Sequence, residues 1–269
     1  MSGGEGCSDG KQCVLLGLMN VDPLPIAPGA EDFRALARSS PWRFTTLHFT
    51  HRRQRVGGSA PDGKPVEAWL DRSVGRVSVR TSRGLEVNDG VPYSTSSVLM
   101  GESGTAPPYT PEPPAELVLR PDGLVARRPE GWHVEHGDPM WQDYLWTAML
   151  DPLELSYGVE IDDVEATTVR GRPTWAATCR PLTGKGEEWE GGYNPRCSCC
   201  PLLDSAVSRF VEYGPEDPTL SDRELPTTYR VHLDVPTGIV VDITPLDGSG
   251  GTSLTNEIHA VDKRLEVGP

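Results

Sequence analysis

Two β-forming runs written back to back around a glycine constrain this chain more than any other feature. Val164-Glu165-Ala166-Thr167-Thr168-Val169 reads as a strand, turns at Arg170-Gly171-Arg172 and returns as Pro173-Thr174-Trp175-Ala176-Ala177-Thr178-Cys179. An acidic, glycine-rich excursion follows and ends at Arg196-Cys197-Ser198-Cys199-Cys200-Pro201. Four of the six cysteines therefore lie on one hairpin and its exit loop. With 29 Gly and 26 Pro the chain must turn often, which suits many short antiparallel strands better than a few long helices.

The same grammar recurs along the sequence. Residues 1–28 carry glycine and then Pro23, Pro25 and Pro28, and read as a flexible segment that forbids helix. Glu31 to Arg38 reads as a short helix, with acids in the first turn and arginine in the last, turning Phe33 and Leu36 inward. Strands are expected at Trp42 to Thr50, Val66 to Leu70 and Gly75 to Thr81, with turns at Arg83-Gly84 and Asn88-Asp89-Gly90. Residues 101–114 read as a Pro-rich linker or surface loop.

Pro121-Asp122-Gly123 joins two short strands. One helix is then expected over 139–150, capped by Asp138, with Trp141, Tyr144, Leu145, Ala148 and Met149 as its apolar stripe. Ala206 to Tyr213 reads as a strand, Pro236-Thr237-Gly238 turns a further hairpin, and Ser253 to Val261 is the last strand. About ten antiparallel strands must curl or close to hide their edges. The expected fold is thus mainly β (α+β), with 29–269 as one domain.

Composition excludes some functions. A formal charge of -14 repels phosphate backbones, so no nucleic-acid partner is expected. The basic run His51-Arg52-Arg53-Gln54-Arg55 reads as a solvated strand end. No apolar run is long enough to span a bilayer, and Val14 to Met19 lacks the flanks of a secretory signal. The chain as written is expected in the cytoplasm, or outside it if a leader precedes this sequence.

The helix leading into a Trp-containing strand and a meander, the Val169-Arg170-Gly171-Arg172-Pro173 hairpin, and Leu233-Asp234-Val235-Pro236-Thr237-Gly238 occur in a telling order. Together, over about 30–262, they resemble the LolA-like superfamily of bacterial lipoprotein carriers and MucB/RseB-type sensors, where a "GR" hairpin precedes a strand with "LDxxTG". The resemblance implies a strongly curved antiparallel meander forming an unclosed barrel. One or two helices would lid its concave face, over a cavity for a hydrophobic, lipid-like small molecule. The Cys-Ser-Cys-Cys loop departs from that pattern, as does the missing export signal.

Buried aromatics on such strands and helices usually form plain core, and for such a ligand the same set is the natural lining. Trp42, Phe44, Trp69, Trp141, Tyr144, Leu145 and Trp175 are the candidates, with Trp146 alongside them on the proposed helix. Cys179, Cys197, Cys199 and Cys200 admit three uses: thiolate ligands for zinc or copper, a disulfide from Cys179 to the loop, or plain thiols. Cys7 and Cys13 could pair with each other. His133 and His136 sit on a loop, and Asp162-Asp163, Glu187-Glu188 and Glu216-Asp217 are simplest as solvated acids. No nucleophile elbow, phosphate-cradling loop or dinucleotide fingerprint is present, which leans against an enzyme; a hydrophobic-pocket enzyme of specialised biosynthesis is the alternative beside the metal-binding one.

Overall fold

A computed structural model of the chain describes residues 22–55, 63–89, 116–129, 139–184, 191–195, 197, 200–214, 225–248 and 250–265. Residues 1–21, the Pro-rich stretch 101–114, His133 and His136, the acid pairs Glu187-Glu188 and Glu216-Asp217, and Cys7, Cys13 and Cys199 lie outside the described residues.

Nine antiparallel strands make one large curved sheet that does not close. Its first half is β1 (Thr46–Arg55), β2 (Val66–Asp71), β3 (Arg76–Thr81) and β4 (Gly84–Asp89). Two short strands, β5 (Val118–Leu119) and β6 (Val125–Arg127), pair separately. The second half is β7 (Val159–Val169), β8 (Arg172–Pro181), β9 (Tyr229–Asp234), β10 (Val240–Pro245) and β11 (Thr252–Val261). In each half, strands consecutive in sequence pair side by side, with the stretch 182–228 between β8 and β9, and the β1–β11 ladder joins the halves in the order β4-β3-β2-β1-β11-β10-β9-β8-β7. Strands β4 and β7 are the two edges. On β7 the edge carries Asp162, Asp163 and Glu165, charges that discourage pairing with another chain.

The turns form for local reasons. Arg170 and Gly171 both take positive φ (48° and 76°), the two-residue turn whose twist matches the flanking strands, and it pairs Val169 with Arg172. The second motif of the resemblance is tied to the first. The Arg172 guanidinium holds the fully buried Asp234 carboxylate through two bonds, Nε to Oδ1 (2.6 Å) and Nη2 to Oδ2 (2.9 Å). Asp234 Oδ2 also accepts the Thr237 hydroxyl (2.6 Å) and N–H (3.0 Å), closing the turn. At Gly238 φ is 74° and an added Cβ would stand 2.8 Å from the Leu36 carbonyl, so only glycine lets helix α1 (Ala30–Ser39) approach.

Helix α1 lies near where 31–38 was expected and buries Phe33 and Leu36 completely. Three other segments differ from the sequence reading. Trp42 and Phe44 precede β1 rather than open it: Pro41 supports a 3₁₀ turn at Ser40–Trp42, and the strand starts at Thr46. The helix expected over 139–150 is α2 (Leu145–Leu150) alone, because Gln142 takes φ 66°, which no helix accommodates. Asp143 Oδ1 then accepts the Leu145 N–H (3.2 Å), close to the role foreseen for Asp138. Ala206–Tyr213 is a helix, α3, and not a strand. Ser205 and Ser208 each accept the other's N–H (3.3 and 2.9 Å), and Val207, Phe210 and Val211 repeat at helical spacing.

Helices α1 and α2 share one contiguous apolar core with the sheet, Phe33, Leu36, Trp146 and Met149 packing with Leu47, Phe49, Val231 and Leu254. All six α2 residues are buried, and the Leu150 carbonyl receives the Ser40 hydroxyl (2.6 Å). No helix among the described residues is long and apolar enough to cross a membrane.

Candidate functional site

The β1 ladder decides which side chains face the core. Leu47, Phe49, His51 and Arg53 share one face, and their partners on β2 follow the same parity: Leu70, Ala68 and Val66. Leu47 and Phe49 are fully buried and His51 is 7% exposed. The apolar row therefore continues into two polar residues, just where the Trp141–Trp146 segment crosses the end of β1.

A cleft of about 660 Å³ opens there, between the β1–β3 end and that segment. Trp141, Leu145 and Trp146 provide its apolar wall, with the two indoles edge to face at 5.3 Å. Trp146 also packs on Phe49 (5.4 Å) and His51 (5.3 Å), so its ring is fixed from three sides. Trp141 Nε1 donates to Glu86 on β4 (3.0 Å). The lining carries the cations Arg53, Lys64, Arg80 and Arg83 against the carboxylates of Glu67 and Asp143, a positive balance in a chain of charge -14.

Most polar groups here are spoken for. Arg53 Nη1 holds Asp143 (2.5 Å) and Arg80 Nη1 holds Glu67 (2.5 Å). The His51 ring is set by Asn256: Asn256 Nδ2 donates to the Val240 carbonyl (2.7 Å), which turns Oδ1 toward His51, so Nδ1–H of the imidazole is the donor (2.8 Å). Burial, with only partial relief from that bond, pushes the His51 pKa down to about 4, and the ring is neutral at pH 7. Two donors are left over. Trp146 Nε1 and Arg53 Nε are buried and have no acceptor among the described residues.

Of the residues expected to line a cavity, the cleft brings together Trp141 and Leu145. Tyr144 and Trp175 belong to the packed core. Phe44 lies under the Arg72 guanidinium at 3.8 Å, and Trp42 under Arg128 at 5.2 Å. Trp69 shares a face with His48 rather than with Ala68 and Leu70. It stacks on His48 (4.9 Å, 11°) and beneath Arg80 (4.8 Å). His51, Arg53, Lys64, Glu67, Arg80 and Asp143 were not foreseen. The basic run read as solvated splits by parity instead, Arg52 exposed and His51 buried. Period two carried on past Phe49 was the signal for it.

Cys179 is fully buried on β8, where burial raises its pKa to about 12, and it forms no disulfide with a described residue. Cys197 and Cys200 face each other with sulfurs 3.3 Å apart. No group of three or more His, Cys, Asp or Glu that could hold a metal ion occurs among the described residues.

No family model and no curated protein sequence matches this chain. Among solved structures it is similar to the lipoprotein LppX of Mycobacterium tuberculosis, at 10% identity and a TM-score of 0.38, covering 88% of this chain and 98% of that one. LprF from Mycobacterium bovis is similar at 10% identity and 0.36, covering 90% and 98%. This is a coarse likeness of fold alone, and nothing about the ligand follows from it.

Proposed function

We propose that the protein binds a hydrophobic, lipid-like small molecule with an acidic head, and that it does so in the Trp141–Trp146 cleft. The apolar part lies against Trp141, Leu145 and Trp146, and the head meets Arg53 and Lys64. One observation carries this reading: an aromatic cleft of ligand size keeps two buried donors, Trp146 Nε1 and Arg53 Nε, without acceptors. A buried donor left unmatched costs about 1–3 kcal/mol, which a carboxylate oxygen would recover on binding. The neutral His51 beside them adds no competing charge.

Titration of the protein with a dansyl-labelled long-chain fatty acid, followed through tryptophan quenching, tests the proposal. Saturable one-to-one binding is expected, displaced by an unlabelled straight-chain acid and about ten-fold less well by its methyl ester, the ratio set by one charge-assisted hydrogen bond. Ser82→Trp, which fills the cleft from its exposed rim, should abolish it. No saturable binding, or binding untouched by Ser82→Trp, sinks the proposal.

A further inference from the structure

We propose that Cys197 and Cys200 are a redox-active dithiol that closes reversibly to a disulfide by exchange with a small-molecule disulfide. This is independent of the ligand cleft. The Cys200 N–H donates to the Cys197 carbonyl (3.3 Å), which holds the backbones of the two residues close together. A bond from residue i+3 back to residue i sets the two Cα atoms within about 7 Å, a limit that overlaps the range of about 4.4–6.8 Å a disulfide spans. The sulfurs already stand 3.3 Å apart and need only small side-chain rotations to bond.

The pair is held from both sides. Ahead of it, the Tyr193 N–H donates to the Leu182 carbonyl (2.8 Å) and its hydroxyl to Glu154 Oε2 (2.5 Å). Behind it, Leu202 N–H donates to the same carboxylate oxygen (3.0 Å), Leu203 N–H to the Tyr193 hydroxyl (3.1 Å), and the Tyr229 hydroxyl to the Asp204 carbonyl (2.5 Å). Gly158 lets the loop close in, since a Cβ there would meet the Gly192 carbonyl oxygen at 2.0 Å. None of these bonds involves a sulfur, so dithiol and disulfide fit the same clamp, and pinned ends raise the effective concentration of one thiol at the other.

Access differs between the two. Cys197 is half-buried and Cys200 is 9% exposed, the arrangement in which one sulfur meets an outside partner and the second resolves. The Cys197 thiolate attacks a disulfide RS–SR, forming a mixed disulfide and releasing RS⁻. Cys200, losing its proton, attacks the Cys197 sulfur and expels the second RS⁻. Both leaving thiolates take up the protons. The two protein thiols lose two electrons in total, and RS–SR is reduced to two RSH.

The test equilibrates the whole chain in glutathione buffers of stepped reduced-to-oxidised ratio, quenches with acid, alkylates, and maps peptides by mass. The peptide with Cys197 and Cys200 is expected to lose two alkyl groups in a single step, and Cys179 to stay alkylatable after denaturation at every ratio. Cys199→Ser should leave that step in place and Cys197→Ser abolish it, while Cys200→Ser should trap glutathione on Cys197. Both thiols remaining reduced throughout, a step that survives Cys197→Ser, or a bond to Cys179 or Cys199 overturns the proposal. So does one equivalent of zinc in freshly isolated protein that is lost in Cys197→Ser.

Discussion

Two arginines, one buried in the packed core and one partly exposed at the cleft, differ in what their donors have left to offer. Arg72 is 1% exposed, and its guanidinium donates to the carbonyls of Ser40 (2.7 Å), Leu150 (3.3 Å) and Phe44 (3.4 Å) while lying over the Phe44 ring. It ties the end of α1, the start of β1 and the end of α2 together. Arg53 meets Asp143 through one nitrogen, its Nε is buried without an acceptor, and the Trp146 indole nearby shares that condition. A cation whose donors are consumed by backbone carbonyls has nothing left to offer a ligand. One with a spare buried donor on a cleft wall does.

The sharpest way to break that contrast is to remove each cation in turn. Arg72→Met removes a buried guanidinium's bonds to three carbonyls, two of which keep another donor (the Ser40 hydroxyl on Leu150 and the Arg43 N–H on Ser40), together with its packing over Phe44, and should cost about 3 kcal/mol or more in a urea-unfolding measurement. Arg53→Met removes a partly exposed pair, worth about 1 kcal/mol or less, yet should weaken fatty-acid binding about ten-fold. Equal destabilisation by the two substitutions would mean that Arg53 is as structural as Arg72.

A second test uses acid. His51 is neutral in the folded chain, with its pKa lowered from 6.5 to about 4 by burial. Between those values the unfolded chain holds a proton that the folded one does not, so stability falls as pH falls through the window. The full loss by pH 4 is on the order of 3 kcal/mol, at about 1.4 kcal/mol per pH unit. The contribution is constant above pH 7. His51→Gln should flatten that part of the profile when urea midpoints are compared from pH 7 to 4; an unchanged slope would show that other groups govern it.

Much of the sheet was legible because turns announce themselves chemically. Arg170-Gly171 and Pro236-Thr237-Gly238 require positive φ at a glycine, and the strands between such turns carry period-two patterns. The Ala206–Tyr213 helix is hard to read from the sequence because Val207, Phe210 and Val211 are residues that strands also favour, and the signal that marks it is the serine pair Ser205 and Ser208 capping its start. The short α2 was overextended because the stripe from Trp141 onward repeats at helical spacing, whereas Gln142 breaks the backbone within it. The cleft was the least legible part. Large aromatics mark burial but not the sheet face, so Trp69 was placed with the lining although its parity sets it beside His48. His51 and Arg53 were hidden by the charge of their own neighbours.

The finest distinction between the two regions lies in a single indole nitrogen. Trp146→Phe keeps an aromatic ring between Phe49, His51 and Trp141 and removes only Nε1. In the unliganded protein that nitrogen bonds to no described residue, so its loss removes a buried mismatch at the expense of some packing volume. Stability should then move by less than about 1.5 kcal/mol, as for size-conserving changes in a core. In the proposed complex the same nitrogen would meet the head group, so dansyl-acid affinity should drop about ten-fold, the size of one hydrogen bond to a charged acceptor. The methyl ester, already deprived of the charge, should lose less. A variant that binds acid and ester as the native chain does would leave Nε1 with no ligand role and move the head group to Lys64 and Arg83 at the cleft rim.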